Sequence, residues 1–486
     1  MTQAAGATIR PRVEPGAERP AGRRWRPWEV LPPALLLALG TVLLLPGHGL
    51  WFDELFTAEV SRRSLGTIVS AVVQGRGTTS YLVDVPPSYN APYYLVTWAW
   101  SALPGLGGDT SLRVLSLLAA AGGLALITRA VSRLAGTGTG VLAGVVVASS
   151  PLLLEQAVEA RSYGLAVLAT GGALLGLTRW LQDPPTGLVL FGLAGAGMGL
   201  AHWYAATVLA AFVLAALVLR GRRAVGPAVV GAVAVLPTVG LIVVNLLNGT
   251  GSRNAEHLRD TGGELAALAA TAWAGGRGPA LYLTVGLALV GAVRARGVRL
   301  VAVSWVLVPL ALLMTAEQLR PVYHPRYLLV GLIGLGVLAA AGAWALPRKA
   351  RGPATALLVG CSLVAAAPLA DRGPRERSDD VVALLAQFHR AGEPVVAADQ
   401  RSATGLDHYV RVAAPGLRPD VVLPPDDAPG SADRVWLVRR LIDGEPVPTD
   451  DDAVLIGAGL RMTEQWDFPA AKTDLVVQRW DRPGRS

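Results

Sequence analysis

The fold is decided by an apolar run at residues 328–346, which reads LLVGLIGLGVLAAAGAWAL and contains no charged side chain. A helix rises about 1.5 Å per residue, so a run of this length can cross the hydrocarbon core of a bilayer. Similar runs recur between Leu31 and Ala370. Only 16% of the 486 residues are charged, whereas soluble proteins carry about 25%. We therefore predict an all-α polytopic membrane protein.

The ends of the apolar runs set the predicted spans, which number eleven. They lie at residues 31–47, 112–130, 138–154, 163–179, 187–201, 204–219, 225–246, 279–293, 300–316, 328–346 and 353–370. The segment from Pro92 to Leu103 is apolar but short, and it is rich in tyrosine and tryptophan. We predict that it forms an interfacial or partly inserted helix. The alternative is that this segment crosses the membrane completely and that another change in the number of crossings restores the orientation of the later loops.

The distribution of cations between the spans predicts the orientation of the chain. One set of connections holds twelve: Arg129, Arg133, Arg179, Arg220, Arg222, Arg223, Arg294, Arg296, Arg299, Arg348, Lys349 and Arg351. After residue 150 the opposite set holds six: Arg161, Arg253, Arg259, Arg277, Arg320 and Arg326. The richer set should face the cytoplasm, as should the arginine-rich N-terminal tail. Eleven crossings of the plasma membrane then place the C-terminus outside.

The composition divides the chain into three parts. Residues 1–30 should be a disordered basic cytoplasmic tail, and residues 31–371 a transmembrane core with an extracytoplasmic loop at 48–110. Residues 372–486 should form a small extracytoplasmic α/β domain, with a helix from Asp379 to Arg390. Its predicted strands are Pro394–Ala398, Asp420–Leu423, Val435–Val438 and Leu475–Trp480. The net charge of +8 is explained by topology, so we predict no nucleic-acid partner.

Acidic residues in the first loop are candidates for chemistry. Asp53 and Glu54 follow the first span directly, and Asp84 lies later in the same loop. A carboxylate at the membrane boundary can deprotonate a hydroxyl group or hold a metal ion. The alternative is an acidic pair that only ends the helix at the interface.

Three further groups lie on the same predicted side of the membrane. They are Arg113, the stretch Glu159-Ala160-Arg161-Ser162-Tyr163, and the stretch Tyr323-His324-Pro325-Arg326-Tyr327. An arginine fixed at this depth can bind a lipid phosphate in a bidentate manner. For the stretch from Glu159 to Tyr163, the alternative is a Glu–Arg pair that only locks helices together. For the stretch from Tyr323 to Tyr327, the alternative is a helix that starts at a proline and carries a snorkelling arginine.

Taken together, these groups resemble the GT-C glycosyltransferases, and among them family 39, the dolichyl-phosphate-mannose–protein mannosyltransferases and their bacterial relatives. The resemblance covers about residues 28–345. It rests on five motifs in order: Trp51-Phe52-Asp53-Glu54, Asp84 followed by Asn90-Ala91-Pro92-Tyr93-Tyr94, Arg113-Val114-Leu115-Ser116, Glu159-Ala160-Arg161-Ser162-Tyr163, and Arg326-Tyr327-Leu328. The chain departs from the family at Asn90, where histidine is common, and at Ala91, where proline is common.

The resemblance implies transfer of a sugar, mannose in the first instance, from a polyprenyl-phosphate donor to a hydroxyl group. Asp53 would be the general base, and Glu54 or Asp84 would orient a substrate. The donor phosphate would lie near Arg113, Arg161 or Arg326, and displacement would invert the anomeric centre. The other implied substrate-binding residues are Asn90, Tyr93, Glu159, Tyr163, His324 and Tyr327. Because asparagine does not titrate near neutral pH, Asn90 lacks any role that the family's histidine has in metal binding or proton transfer. No metal ligands are assigned, and a divalent cation stays an alternative.

Other functions remain open at this stage. The same fold could transfer another sugar, such as arabinose or galactose, to an acceptor that is a protein, a lipid or a polysaccharide. A lipid-linked-sugar flippase or transporter is the main alternative that is not an enzyme, although transporters place ionisable groups near the middle of the membrane. A structural membrane subunit is the third, and it leaves the five motifs unexplained.

Overall fold

The structure is a computed structural model that describes residues 26–87, 91–249, 258, 260–319, 321–424, 431–442, 444–447 and 449–484. Most of the predicted disordered tail, and Asn90, lie outside these ranges.

Helices account for most of the chain before residue 372. They are α1 (Leu31–Leu44), α2 (Phe52–Ser61), α3 (Leu65–Gln74), α4 (Ala91–Ser101), α5 (Asp109–Ala135), α6 (Thr137–Ala148), α7 (Pro151–Ala157), α8 (Tyr163–Gln182), α9 (Leu188–Ala201), α10 (Ala206–Arg220), α11 (Val225–Leu247), α12 (Leu265–Trp273), α13 (Pro279–Arg294), α14 (Arg299–Glu317), α15 (Leu329–Ala345) and α16 (Arg348–Ala366). Short 3-10 turns occur at Pro27–Val30, Ser80–Leu82, Trp203–Ala205, Gly221–Ala224, Pro325–Leu328 and Ala367–Leu369.

The predicted membrane core is confirmed. Within the described ranges, seven helical stretches are long and apolar enough to span a membrane, and a bent pair makes an eighth. One of the seven, Trp203–Leu247, contains both α10 and α11, while α9 and α13 are apolar but shorter. Ten of the eleven predicted spans therefore coincide with one helix each, the span at 138–154 coincides with the bent pair, and the chain is a multi-pass membrane protein.

The span predicted at 138–154 is broken rather than straight. Helices α6 and α7 meet at a bend of 68°. Pro151 opens α7, and the residue before a proline is driven out of the helical region. Ser150 accordingly has an extended backbone, with ψ of 126°. The bend directs the turn after α7 towards the first loop.

The segment at 92–103 forms helix α4, which has 11 residues. At about 1.5 Å per residue its length is about 16 Å, roughly half of what a hydrocarbon core requires. Helix α4 packs against α2 and α5, and it buries Tyr93 and Tyr94. This length fits the interfacial helix predicted from the sequence.

Close packing of α5 against α8 brings two of the predicted motifs together. A Cβ atom added to Gly171 would collide with the Gly123 carbonyl, and one added to Gly164 would collide with the Ser116 carbonyl. Small residues of this kind let membrane helices approach backbone to backbone. The start of α5, which carries Arg113, is thereby fixed beside the turn that precedes α8.

The C-terminal domain, described for residues 372–424, 431–442, 444–447 and 449–484, is a small α/β unit, as predicted. Its helices are α17 (Ser378–Phe388), α18 (Gln400–Ala413) and α19 (Asp451–Gly457). Its strands are β1 (Val395–Ala397), β2 (Val421–Val422), β3 (Arg434–Ile442), β4 (Glu445–Pro446), β5 (Arg461–Phe468) and β6 (Leu475–Asp481). The sheet order is β2-β1-β3-β6-β5, with β4 paired to β3. Strands β2, β1 and β3 are parallel, and β6 is antiparallel to β3 and β5.

The first loop and the C-terminal domain share one hydrophobic core. Leu55 and Tyr93 of the loop helices lie in the same buried cluster as Leu385 of α17 and Trp436 of β3. Polar contacts reinforce this packing, since Leu50 N donates to Tyr409 Oη at 2.7 Å and Phe52 N donates to Glu376 Oε2 at 3.1 Å. The C-terminal domain is therefore built onto the loop that carries Asp53.

Candidate functional site

A cavity of about 1800 Å³ lies between the transmembrane core, the first loop and the C-terminal domain. The first loop contributes Trp51, Phe52, Asp53, Phe56, Asp84 and Tyr94 to its walls. The core contributes Arg161, Trp203, Tyr204 and the stretch from Val322 to Tyr327, and apolar residues of α11, α12 and α14 complete that side. The C-terminal domain contributes Asp399, Gln400, Arg401, Arg440 and Lys472.

Asp53 is the acidic residue at the centre of this arrangement. It stands in the first turn of α2, and its Oδ2 lies 3.1 Å from Arg326 Nη1 and 3.6 Å from Arg161 Nη2. Burial by itself would raise the pKa of Asp53, but the guanidinium groups of Arg161 and Arg326 outweigh it and hold that pKa below its usual range. The carboxylate is ionised and keeps 19% of its side-chain surface exposed.

The two arginines reach Asp53 from different parts of the core. Arg161 lies in the turn between α7 and α8, and its Nη1 also donates to the Asp53 carbonyl at 3.3 Å. Arg326 lies in the 3-10 turn that leads into α15. Both guanidinium groups line the cavity, and the two Nε atoms find no hydrogen-bond partner among the described residues. An anion in the cavity would meet two guanidinium groups that Asp53 already orients.

Glu54 points away from the cavity and is fully enclosed. Arg113 donates to it from Nε at 2.8 Å and from Nη2 at 2.5 Å, and Ala160 N donates at 2.8 Å. Arg113 also donates to the carbonyl oxygens of His48 and Gly49, at 2.6 and 3.0 Å. Neither Glu54 nor Arg113 lines the cavity. These contacts favour a role in fixing the start of α2 over contact with a substrate.

Glu159 is also occupied by a structural contact. Its buried carboxylate pairs with Arg375, and Gln156 Nε2 donates to it at 3.2 Å. Arg375 pairs with Glu155 as well, at 2.6 Å, so the corner after α7 anchors the start of the C-terminal domain. Glu159 does not line the cavity.

The predicted aromatic residues divide between the cavity wall and the layer behind it. Tyr327 and His324 line the cavity, and the Tyr327 ring stacks on Tyr204 with centroids 5.0 Å apart. Tyr163 is buried behind them against His202, at 5.1 Å. Tyr93 is buried as well, with its hydroxyl 3.3 Å from Ser116 Oγ.

Asp84 lines the cavity from an exposed position in the first loop, so the structure brings it to the same space as Asp53. Asn90 lies outside the described residues, and its predicted role stays a prediction. Among the residues that the structure describes, no three His, Cys, Asp or Glu side chains form a group that could hold a metal ion. Two acids of the cavity form ion pairs with arginines, Asp53 with Arg326 and Asp399 with Arg440.

Several cavity residues were not assigned from the sequence. Arg401, Arg440 and Lys472 come from the C-terminal domain, and no local pattern there indicates that they face the first loop. The sequence analysis treated Trp51 and Phe52 only as part of the acidic motif, but both rings make cation–π contacts. Lys472 Nζ lies 3.6 Å from the centre of the Trp51 ring, and the guanidinium carbon of Arg401 lies 4.6 Å from the centre of the Phe52 ring. The aromatic pair before the acid was the one available signal.

Comparisons with known proteins support the fold. No protein-family model and no curated protein matches the sequence. The structure is similar to ArnT from Cupriavidus metallidurans bound to undecaprenyl phosphate, with a TM-score of 0.60 and 15% identity over 93% of this chain and 98% of that one. The apo state of ArnT gives a TM-score of 0.56 at 15% identity, over 93% and 97%. The arabinofuranosyltransferase AftD from Mycobacteria gives 0.52 at 16% identity, over 94% of this chain and 42% of that one. The chain therefore shares the fold of these proteins.

Proposed function

We propose that this protein is a membrane glycosyltransferase that moves a sugar from a polyprenyl-phosphate donor to a hydroxyl acceptor. The observation that carries the proposal is Asp53, an ionised carboxylate held by Arg161 and Arg326 in the wall of a large cavity. An acid beside two cations suits a reaction in which a hydroxyl loses a proton while a phosphate leaves. The similarity to ArnT, whose structure holds undecaprenyl phosphate, supports the same class of donor.

In the proposed reaction, the acceptor oxygen attacks the anomeric carbon of the donor sugar. The bond between that carbon and the phosphate oxygen breaks, and the lipid phosphate leaves with the electron pair. Asp53 takes the proton from the acceptor hydroxyl, while Arg161 and Arg326 stabilise the charge that develops on the phosphate. A single displacement of this kind inverts the anomeric centre.

Donor binding would also improve Asp53 as a base. Without a ligand, the two arginines depress the pKa of Asp53, which makes its carboxylate a weak proton acceptor. A phosphate placed between Arg161 and Arg326 adds negative charge beside that carboxylate and offsets part of the arginine field. The pKa of Asp53 should rise as a result, and the base would become effective only when the donor is present.

The remaining predicted residues receive roles from their contacts. Asp84 lines the same cavity as Asp53 and is proposed to orient the acceptor. The pair of Glu54 and Arg113 is proposed to position α2, and Tyr327 and His324 to line the sugar site. Mannose is the donor sugar implied by family 39, and arabinose is the competing proposal, supported by the similarity to AftD. Both belong in the first donor panel.

We also propose that the cavity faces the extracytoplasmic side, on the basis of the twelve and six cations in alternate connections. Intact cells that produce Cys361→Ser/Ala453→Cys, whose new thiol lies on the exposed surface of α19, should react with a membrane-impermeant maleimide. Labelling that occurs only after the cells are broken would place the domain in the cytoplasm.

The transfer itself is tested with purified protein, a panel of labelled polyprenyl-phosphate sugars and a crude membrane acceptor. Release of free polyprenyl phosphate should occur with wild type, should fall at least about 100-fold in Asp53→Asn, and should persist in the control Asp371→Asn, an exposed acid outside the cavity. If wild type releases no lipid phosphate from any donor, the transferase proposal fails. A lipid-linked sugar that crosses vesicles without being cleaved would instead indicate a transporter.

A further inference from the structure

The C-terminal domain contributes more cationic than acidic side chains to the wall of the cavity. Arg440 Nε lies 2.8 Å from Asp399 Oδ1, so that pair is balanced. Arg401 and Lys472 also line the cavity, but neither forms an ion pair within 4 Å with an acid among the described residues. Two cations therefore face the cavity without a carboxylate of their own.

The two cations are held in place by consecutive aromatic rings. Arg401, in the first turn of α18, lies over Phe52, and Lys472, in the turn between β5 and β6, lies over Trp51. A cation over the face of an aromatic ring makes a favourable cation–π interaction. Because Trp51 and Phe52 directly precede Asp53, both cations are fixed beside the proposed base although they come from distant parts of the chain.

Two sets of cations thus act on Asp53. Arg161 and Arg326 contact it from the core, and Lys472 and Arg401 act on it electrostatically from the C-terminal domain. The lipid phosphate of the donor would be held by the core pair. The pair on the C-terminal domain, which lines the same cavity, would remain available to a second anion.

We infer that Arg401 and Lys472 form an anion subsite, and that the acceptor of this enzyme carries a phosphate or carboxylate group close to the hydroxyl that is glycosylated. The inference rests on the proposed function, because it names the acceptor class of the same site. A neutral acceptor would leave both cations without an ion-pair partner beside the reacting atoms. An anionic acceptor compensates them and is oriented by the same contacts.

The subsite can be tested by binding, without turnover. The full chain in detergent, with excess undecaprenyl phosphate present to occupy the core arginines, is titrated with glycerol 3-phosphate, a small probe that combines hydroxyl groups with a phosphate. Binding is followed by broadening of the phosphorus NMR line of the probe. The variant is Arg401→Gln/Lys472→Gln. The matched control is Arg418→Gln/Arg461→Gln, which removes two exposed arginines of the same domain that do not line the cavity.

Wild type and the control should bind the probe equally, and the variant should bind it at least about tenfold more weakly, because two charged contacts are lost. Glycerate should compete with the probe, whereas glycerol should not. Equal binding by the variant, no binding by wild type, or competition by glycerol would each overturn the inference. So would a variant that keeps the probe but loses undecaprenyl phosphate, because the cations would then serve the donor.

Failure of this inference and failure of the proposed function give different results. If the chain is not a transferase, no donor is cleaved by wild type, whatever the binding titration shows. If only the anion subsite is wrong, wild type cleaves a donor, and the Arg401→Gln/Lys472→Gln variant uses its acceptor with an unchanged KM.

Discussion

The replacement Glu54→Gln separates a positioning role of Glu54 from a catalytic one. The Glu54 side chain is fully buried and accepts two hydrogen bonds from Arg113 and one from Ala160 N. Glutamine keeps the shape but removes the charge, which leaves the Arg113 guanidinium buried and uncompensated. Breaking one partner of a buried ion pair costs about 3–5 kcal/mol. With an unfolding entropy of about 2.1 cal/mol/K per residue, 486 residues give about 1 kcal/mol/K, so Tm should fall by about 3–5 °C.

The assay measures Tm from tryptophan fluorescence and donor cleavage on the same samples. Glu54→Gln should lose stability and retain a measurable part of its activity, because Asp53 is only displaced. The double variant Glu54→Gln/Arg113→Gln should recover part of the lost stability, since no buried charge remains unpaired. A Glu54→Gln protein that melts like wild type but cleaves no donor would refute this reasoning. Glu54 would then take part in the chemistry.

Three other replacements test the electrostatics of the site. Burial raises the pKa of Glu376 to about 7. Its protonated form therefore stabilises the folded state below pH 4.5, by about 3 kcal/mol. This stabilisation is lost as the pH rises through 7. Melting curves of Glu376→Gln should therefore lack a fall in Tm between pH 5 and 8 that wild type shows, and parallel curves would contradict the assignment. Burial lowers the pKa of Lys472 to about 8, so this side chain loses its charge above that pH. The KM of wild type for an anionic acceptor should therefore rise above pH 8. The KM of Lys472→Arg should stay constant, because arginine keeps its charge. Arg326→Lys should bind undecaprenyl phosphate about tenfold more weakly in a vesicle-binding assay, because a lysine cannot form a bidentate contact with the phosphate. An unchanged affinity would mean that Arg326 does not bind the phosphate.

The transmembrane core could be predicted from the sequence because one strong local property determines it. A run of apolar residues long enough to cross the bilayer has few alternatives to a helix, since backbone groups in lipid must be satisfied within the segment. The same reasoning could not find the break at Ser150, where a single proline redirects the chain. In the C-terminal domain, the predicted strands that match β1, β3 and β6 are apolar and buried.

Strand β5 and helix α18 were not predicted, for different reasons. Strand β5 is almost entirely exposed and reads RMTEQWDF, so it lacks the hydrophobic alternation that marks a strand, and its pairing with β6 defines it instead. Helix α18 does carry a local signal, because the side chain of Asp399 caps it by accepting from Arg401 N and Ser402 N. That signal is the one by which Arg401 could have been placed at a helix start.

The candidate site was predictable as a set of residue types but not as a set of contacts. Asp53 and Arg161 are 108 residues apart, and only the packing of the first loop against the turn before α8 brings them together. The resemblance to GT-C enzymes assigned both residues to one active site but did not predict their contact. It could not supply the contribution of the C-terminal domain, to which the resemblance does not extend.

The four residues from Trp51 to Glu54 explain why this site needs three parts of the chain. Successive residues of a helix point about 100° apart, so Phe52, Asp53 and Glu54 in the first turn of α2 diverge, and Trp51 precedes them as the extended N-cap residue. Trp51 and Phe52 meet the cations of the C-terminal domain, Asp53 meets the core arginines that face the cavity, and Glu54 meets Arg113 behind it. The N-terminus of α2 adds the positive end of its dipole to both carboxylates. The direction of one helix start therefore decides which acid is exposed to a substrate and which one holds the helix.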